Sequence, residues 1–180
     1  MEILIIFETG EGQTRKIAGF IADLCRNAGH GVRLHDTADK SAAPQITGAD
    51  RVILAAPVHE RRHPRMFEAM VHTARDQLAA RPSLMVSVSL KAAFHDGLDE
   101  ARDYLQEMEM RTGFTPTAEA LVAGAVRMTS YDYYQSQIVR HVALAGHDVT
   151  LTDGVREFTD WDALRATVTA FLVQDGTAPR

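Results

Sequence analysis

The chain has 180 residues, of which 46% are hydrophobic and 24% charged, and its formal net charge is −5. This length suffices for one domain with a sizeable core, and the negative charge argues against broad electrostatic binding to nucleic acid. The single cysteine, Cys25, excludes a disulfide framework within the chain. No apolar run approaches the roughly 18 residues of a membrane span. We therefore expect a cytoplasmic protein with at most weak peripheral contact with the inner face of the membrane.

Short apolar runs alternate along the chain with segments of helical periodicity. The runs EILIIF, HGVRLHD, RVILAAP, SLMVSVS and EALVAGAV predict strands at residues 2–7, 30–36, 51–57, 83–89 and 119–126. Apolar residues at helical spacing predict helices over 13–28, 64–80, 96–111 and 159–173. Thr159 or Asp160 is the expected cap of the last helix. This alternation favours an α/β three-layer sandwich with a five-stranded parallel sheet in the flavodoxin-like order 2-1-3-4-5.

We expect a single domain over residues 1–175 and a short flexible tail at 176–180. Residues 125–149 exceed what a minimal domain of this order needs. One helical stripe in this segment contains Tyr131, Tyr134, Ile138, Val142 and Ala145, and Gly146 can end the helix. We therefore expect an extra helical segment before the last helix, packed on the domain. The functional alternative is the wall of a substrate channel or a membrane-facing helix.

In sheets of this order, ligands bind beyond the carboxyl ends of the strands, where the strand order reverses. The predicted edge comprises the turns at residues 8–14, 56–63 and 88–95. In the first turn, Gly10 and Gly12 allow a tight bend with exposed amides, and Thr9 and Thr14 add hydroxyl groups. The helix that begins near Gln13 directs its positive dipole end into the turn, so the sequence predicts a cradle for a monophosphate.

Glu11 complicates the phosphate interpretation, because its carboxylate would repel a dianionic phosphate unless the side chain points outward. Arg15, one helical turn further on, could offset this charge. The alternative interpretation is a Gly-rich strand–helix turn that binds nothing.

The second turn, PVHERRHP, contains the pattern H-E-x-x-H, which on a helix holds zinc. Such a site needs His59 and His63 on consecutive turns of one unbroken helix. Pro57 and Pro64 bracket the stretch, and Pro64 disfavours helical geometry at the residue before it. We therefore expect a polar loop beside the ligand and no metal site.

Several stretches together carry a resemblance to a known family. GQTRKIA, ALVAGAVR, the Tyr-rich segment and FTDWDALRA resemble the flavodoxin-like protoporphyrinogen IX dehydrogenases, which are quinone-linked, FMN-using enzymes of haem biosynthesis. The similarity runs over almost the whole chain in the same order, and the first turn and TDW are its most specific parts. The resemblance implies six-electron oxidation of protoporphyrinogen IX to protoporphyrin IX, with the electrons passing to a quinone. No side chain need act as a nucleophile, because the flavin carries the chemistry.

The resemblance also implies which residues form the site. The FMN phosphate would be held by Thr9, Gly10, Gly12, Gln13 and Thr14, and Glu11 belongs to the same cofactor-binding loop. The flavin ring would be flanked by Pro57, Val58, His59, Glu60 and Arg61 and, from the third turn, by Ser89, Leu90 and Lys91. His59 is the candidate for stacking on the ring, because the second turn has no Phe, Tyr or Trp. A large flat tetrapyrrole also needs an open, partly apolar face beside the flavin, and the candidates to line it are Arg62, Phe94, Arg127 and Tyr131, with the arginines pairing with its propionates.

Two alternatives to this enzyme remain open. A flavodoxin-type carrier would pass electrons between protein partners, and its acidic surface would suit basic partners. The acidic stretch LKAAFHDGLDEA favours this alternative, because it disfavours an anionic porphyrinogen. The third hypothesis is a binding module that kept the fold without the flavin, since fold alone does not decide function.

Overall fold

The computed structural model describes residues 1–39, 43–127, 146, 147 and 149–174. Its main sheet is formed by β1 (Glu2–Phe7), β2 (Gly31–Asp36), β3 (Arg51–Pro57), β4 (Ser83–Ser89) and β5 (Ala118–Ala123). All neighbouring strands are parallel, and their order is β2-β1-β3-β4-β5. The predicted order is confirmed, and it reverses between β1 and β3.

Helices cover both faces of the sheet. In the described part of the chain they are α1 (Gln13–Asn27), α2 (Arg65–Ala79), α3 (Leu98–Thr112) and α4 (Trp161–Val173). One buried cluster joins α1 and α4 to the sheet, and a second joins α2 and α3 to the opposite face. The predicted three-layer arrangement is therefore confirmed. No helix in the described ranges combines the length and apolar composition of a bilayer span.

The first strand shows why the strands are apolar throughout. Ile3 and Ile5 belong to the cluster with α1 and α4, whereas Leu4 and Ile6 belong to the cluster with α2 and α3. Successive residues of a strand point to opposite faces, and here both faces are covered. Continuous burial therefore requires a continuous apolar run.

The fifth strand is shorter than predicted. The sequence predicts one strand over 119–126, but β5 ends at Ala123, and β6 (Ala125–Arg127) pairs antiparallel with β7 (Val155–Glu157) in a separate sheet. The chain leaves the main sheet at Gly124: its amide still donates to the Ser89 carbonyl of β4 at 3.2 Å, but its carbonyl accepts from the Phe158 amide at 3.0 Å. The prediction of one strand is thus wrong, because a contact distant in sequence redirects the chain.

The predicted helical stripe from Tyr131 to Ala145 lies outside the described residues, and so does the tail at 176–180. Of the segment 125–149, the structure describes β6 and residues 146, 147 and 149.

The third helix begins later than predicted, at Leu98 instead of Asp96. His95–Gly97 forms a short 3₁₀ turn first. A Cβ on Gly97 would lie 2.4 Å from the Lys91 carbonyl oxygen, so the chain passes close over the third turn before the helix starts. The helix boundary is therefore set by this close approach.

Asp160 is the cap of α4. Its Oδ1 atom accepts hydrogen bonds from the amides of Asp162 at 3.1 Å and Ala163 at 2.9 Å. These amides belong to the first turn of the helix, where no intrahelical partner exists. Of the two predicted caps, Asp160 is thus confirmed, and Thr159 bonds elsewhere.

Candidate functional site

Three loops meet at the carboxyl edge of the sheet. We call residues 8–12 the first loop, 58–64 the second loop and 90–97 the third loop; they follow β1, β3 and β4. The Glu8 amide donates to the Ala55 carbonyl at 3.1 Å, and the Val58 amide donates to the Val88 carbonyl at 2.8 Å. The loops are therefore neighbours at the point where the strand order reverses, as the sequence predicts.

The first loop ends in a helix start without a side-chain cap. Gly12 is the N-cap residue of α1, with φ 91° in the left-handed region, and it makes no side-chain cap. The Gly12 amide donates to Thr9 Oγ1 at 3.0 Å, which closes the turn. The first amides of α1 therefore face outward from the helix, where a helix dipole favours an anion.

The Gln13 side chain points into the protein. Gln13 is 6% exposed, and its Nε2 donates to Thr159 Oγ1 at 3.0 Å. Thr159 in turn donates to the Ala123 carbonyl at 2.7 Å. Arg127 Nη2 donates to Gln13 Oε1 at 3.3 Å, so the Arg127 side chain lies next to the start of α1, where the first loop ends. This chain of contacts ties the start of α1 to the end of β5 and to β6.

Glu157, at the end of β7, contacts the N-terminal end of α1. Its carboxylate accepts from Lys16 Nζ at 2.6 Å and from Trp161 Nε1 at 2.9 Å. Burial acts to raise the pKa of Glu157, but the hydrogen bonds from Lys16, Trp161 and Gln13 outweigh it, and the net shift is downward. Sequence reasoning did not assign Glu157 a role, although the neighbouring TDW stretch was singled out through the resemblance.

Arg15 pairs with a carboxylate other than that of Glu11. Its Nη2 atom lies 2.6 Å from Asp36 Oδ2 at the end of β2. The charge of Arg15 is therefore shared with Asp36, which weakens the predicted offset of Glu11.

The second loop is a tight turn. The amide and carbonyl groups of His59 and Arg62 are bonded to each other, with both N···O distances at 3.0 Å. The residues between them, Glu60 and Arg61, have φ values of 48° and 65°. These are the features of a type I′ turn, which ordinarily carries Asn or Gly at both positions. The loop prediction is confirmed, and the helix that an H-E-x-x-H zinc site requires is not formed here.

The two histidines of this loop have different environments. His59 is exposed, and its Nε2 lies 3.5 Å from the position that a Cβ on Gly10 would take. His63 is 1% exposed, and its Nε2 lies 3.0 Å from Ser87 Oγ of β4. Burial lowers the pKa of His63 to about 4, although Glu68 opposes the shift, so this ring is neutral at physiological pH. His59 therefore borders the first loop, whereas His63 anchors the second loop to the sheet.

Arg62, predicted to contact substrate, is directed toward α2. Its Nη2 and Nε donate to Glu68 Oε2 at 2.6 and 3.1 Å. Glu68 is 5% exposed in its side chain and also accepts from Arg111 Nη2 at 2.9 Å. Arg62 thus takes part in compensating a buried carboxylate, while 43% of its side chain stays exposed.

The third loop holds an aromatic stack. The rings of Phe94 and His147 are 3.7 Å apart at an angle of 12°, and Phe158 meets Phe94 edge-on at 5.7 Å. Ser89 Oγ accepts from the Ala92 amide at 3.2 Å, which shapes the start of the loop. One face of Phe94 is therefore covered by a ring of the same chain.

Glu100 of α3 joins the second and third loops. Its carboxylate lies 2.7 Å from Arg61 Nη1 and 2.9 Å from Lys91 Nζ. Sequence reasoning missed Glu100, because nothing in an acidic helix start singles out one glutamate.

The structure therefore brings some of the predicted residues together and separates others. Gly10 lies near His59, and Arg61 is connected to Lys91 through Glu100. Arg127 contacts Gln13, whereas Phe94 packs against His147. Tyr131 lies outside the described residues.

Comparisons with known proteins agree with this architecture. The sequence model of the flavodoxin domain family matches residues 4–153. Protoporphyrinogen IX dehydrogenase (quinone) from Escherichia coli (strain K12) is 26% identical over 163 residues, which cover 90% of each chain. Oxidised flavodoxin 1 from Bacillus cereus superposes with a TM-score of 0.57 at 18% identity, covering 96% of this chain and 97% of the other. A flavodoxin from Streptococcus pneumonia TIGR4 gives a TM-score of 0.53 at 15% identity, with 96% and 98% covered.

Proposed function

We propose, because the chain belongs to the flavodoxin domain family, that it binds FMN at the carboxyl edge of its sheet and acts as a flavin-dependent oxidoreductase. The observation that carries this proposal is the first loop. There a left-handed glycine is followed at once by a helix without a side-chain cap. Such an arrangement suits the phosphate ester of FMN.

The backbone of the first loop and of the start of α1 fits a phosphate group. The amides of Gln13, Thr14 and Arg15 have no acceptor within their own helix, and they would donate to phosphate oxygens. A Cβ on Gly12 would meet nothing within 4 Å, so the space beside this residue is open. The Thr9 hydroxyl holds the turn in shape before any ligand arrives. These features support a cradle that is formed in advance, so little ordering would be needed on binding.

We infer that the second and third loops flank the flavin ring. Bound FMN would supply the electron-transfer chemistry. The exposed ring of His59, beside Gly10, is a planar group of the second loop that could stack on the flavin. Arg61 of the second loop and Lys91 of the third loop would place positive charge at the rim of the gap between these two loops. The protein's own task would be to orient the ring and to control which molecules reach it.

The proposed reaction is oxidation of protoporphyrinogen IX, with electrons and protons passing to a quinone. Its support is the likeness to the Escherichia coli dehydrogenase over 90% of the chain. Guanidinium groups bind carboxylates in a bidentate manner, so exposed arginines could hold the propionates of the substrate. The exposed part of Arg62 would be available for this, whereas Arg127, bonded to Gln13, would serve the cofactor end of the site.

A second candidate function is electron transfer between proteins. Asp96 in the third loop and Asp99 and Asp103 at the start of α3 are exposed, and the Asp96 and Asp99 side chains are 74% and 100% exposed. This acidic surface suits a basic protein partner and disfavours an anionic porphyrinogen. We therefore keep the electron carrier as the alternative.

The experiment has two stages. FMN is titrated into the apoprotein, and binding is followed by flavin absorption and by quenching of Trp161, the chain's single tryptophan. The loaded protein then receives protoporphyrinogen IX and a menaquinone or ubiquinone analogue, and porphyrin fluorescence is followed with the apoprotein rate subtracted. We expect binding near one FMN per chain and a rate above this background.

Two outcomes would contradict the proposed reaction. If the FMN-loaded protein shows no activity on the porphyrinogen but is reduced rapidly by a flavodoxin reductase, it is an electron carrier. A protein that takes up no FMN would leave only the flavin-free binding module.

A further inference from the structure

Glu100 is the meeting point of side chains from two loops and one helix. Its Oε1 atom accepts from Arg61 Nη1 at 2.7 Å and from the Tyr104 hydroxyl, and its Oε2 lies 2.9 Å from Lys91 Nζ. The Arg61 guanidinium also lies over the Tyr104 ring, 5.2 Å from its centroid. We call these four residues, Arg61, Lys91, Glu100 and Tyr104, the Glu100 clasp.

The clasp connects the second and third loops at a place other than their backbone hydrogen bond. The backbone bond from Val58 to Val88 lies at the start of the second loop, before the turn at Glu60 and Arg61. Arg61 has φ 65°, a conformation that a non-glycine residue adopts only when the surroundings hold it. The ion pair with Glu100 and the contact with Tyr104 provide such a hold. The tip of the second loop is therefore fixed relative to the third loop through α3.

We propose that Glu100 is a positioning residue that sets the gap between the second and third loops and the charge that a flavin ring meets there. This inference rests on the proposed function, since it takes the ring to lie between these loops. Glu100 would act on the ring through Arg61 of the second loop and Lys91 of the third loop.

The charges of the clasp lead to a specific consequence. The hydrogen bond from Tyr104, together with Lys91 and Arg61, holds the pKa of Glu100 below its ordinary value, so the group is ionised at neutral pH. One carboxylate therefore compensates two cations at the rim of the gap. Without it, the net positive charge would favour the reduced, more negative form of a bound flavin.

The test compares Glu100→Gln with Asp99→Asn. Asp99 precedes Glu100 in the first turn of α3, its side chain is 100% exposed, and it pairs only with Arg102 among the ion pairs described. Both substitutions remove one negative charge from the same helix end, but only one breaks the clasp. Affinities for FMN and for riboflavin, which has the ring without the phosphate, are measured by Trp161 quenching.

We expect Glu100→Gln to weaken both ligands by a similar factor of about ten, because the loss concerns the ring. Its flavin midpoint potential should move in the positive direction, and amide hydrogen exchange should speed up in residues 58–63 and 89–95. Asp99→Asn should leave all three quantities near those of the wild type. Lys91→Gln, which removes one arm of the clasp, should give a smaller change in the same directions for affinity and exchange.

The outcomes separate this inference from the function on which it rests. If the wild type binds both ligands and Glu100→Gln behaves like Asp99→Asn, the inference is overturned and the proposed function stands. An effect on FMN without one on riboflavin would also overturn it, since the phosphate end would then be responsible. If the wild type binds neither ligand, both proposals fall.

Discussion

At the scale of single residues, the first loop offers a direct test. Thr14 lies in the first turn of α1 and is 2% exposed. If its hydroxyl donates to the FMN phosphate, Thr14→Val should weaken FMN binding by about 1–3 kcal/mol, the range for losing a hydrogen bond to a charged group. Calorimetry measures the affinity, and Thr14→Ser, which keeps the hydroxyl, is the control. Equal affinities in the wild type and the valine variant would remove Thr14 from the site.

His63 gives a prediction about pH. Its pKa falls from 6.5 to about 4 in the folded protein because the ring is buried. Between these values the unfolded chain binds more protons, so the stability that the neutral ring provides is complete above pH 6.5 and is lost as the pH falls toward 4. The free energy of unfolding should therefore drop by about 2 kcal/mol more in the wild type than in His63→Gln between pH 7 and pH 4.5.

The comparison with His63→Gln is necessary because another group titrates in the same window with the opposite sign. Burial, together with the nearby Glu119, raises the pKa of Glu109 to about 7. That contribution to stability is present at low pH and is lost as the pH rises through 7. It is common to the wild type and the variant, so it cancels in the difference. Parallel pH profiles for the two proteins would show that His63 is not buried in its neutral form.

At the scale of elements, the second loop is strained where it borders the proposed ring site. Glu60, at φ 48°, occupies a position in which asparagine is better tolerated. Glu60→Asn should raise the free energy of unfolding by about 0.5–1 kcal/mol through relief of this strain. Urea denaturation measures the change, and Glu60→Ala removes the same charge without tolerating the left-handed conformation. If both variants change stability equally, charge and not backbone strain is responsible.

The left-handed backbone of the second loop also bears on function. Non-glycine residues in this region persist where the surrounding structure holds them, often beside binding sites. The second loop is held by His63 on the sheet side and by the Glu100 clasp on the helix side. Relief of the strain by Glu60→Asn would therefore leave the position of the loop unchanged.

At the scale of the whole molecule, a buried hydrogen bond between Gln13 and Thr159 connects the start of α1 to the segment before α4. Gln13 and Thr159 are 146 positions apart, and Thr159 also bonds to Ala123 at the end of β5. Thr159→Val should cost about 1–3 kcal/mol, because the Ala123 carbonyl loses this donor and Gln13 Nε2 loses one of its acceptors. It should also weaken FMN binding, since it loosens the start of α1.

Thr167→Val is the matched control for this prediction. Thr167 is half-buried on α4, and within the described residues its hydroxyl donates to the Ala163 carbonyl of the same helix at 2.9 Å. Urea denaturation and FMN titration are carried out on both variants. An undiminished FMN affinity in a destabilised Thr159→Val protein would show that the start of α1 does not depend on the hydrogen bond between Gln13 and Thr159.

The sequence alone determined the architecture, because its causes are local. The two buried faces of β1 require a continuous apolar run, and EILIIF has one. Glycine and threonine between this run and an amphipathic helix predicted an uncapped helix start, which the structure contains. Pro57 and Pro64 likewise predicted that the H-E-x-x-H stretch is a loop, because proline restricts the backbone beside it.

Only the tertiary structure decided which side chains meet. β5 ends before Gly124, because the carbonyl of Gly124 accepts a hydrogen bond from the amide of Phe158, the residue after β7. Arg61, Lys91 and Glu100 come from a turn, a 3₁₀ segment and a helix, and no local pattern marks their convergence. His59 and His63 belong to the same sequence motif, but His59 is exposed to solvent whereas His63 is buried. The physical reason is the same in each case, since pairing of polar groups and burial depend on chain segments that the local sequence does not specify.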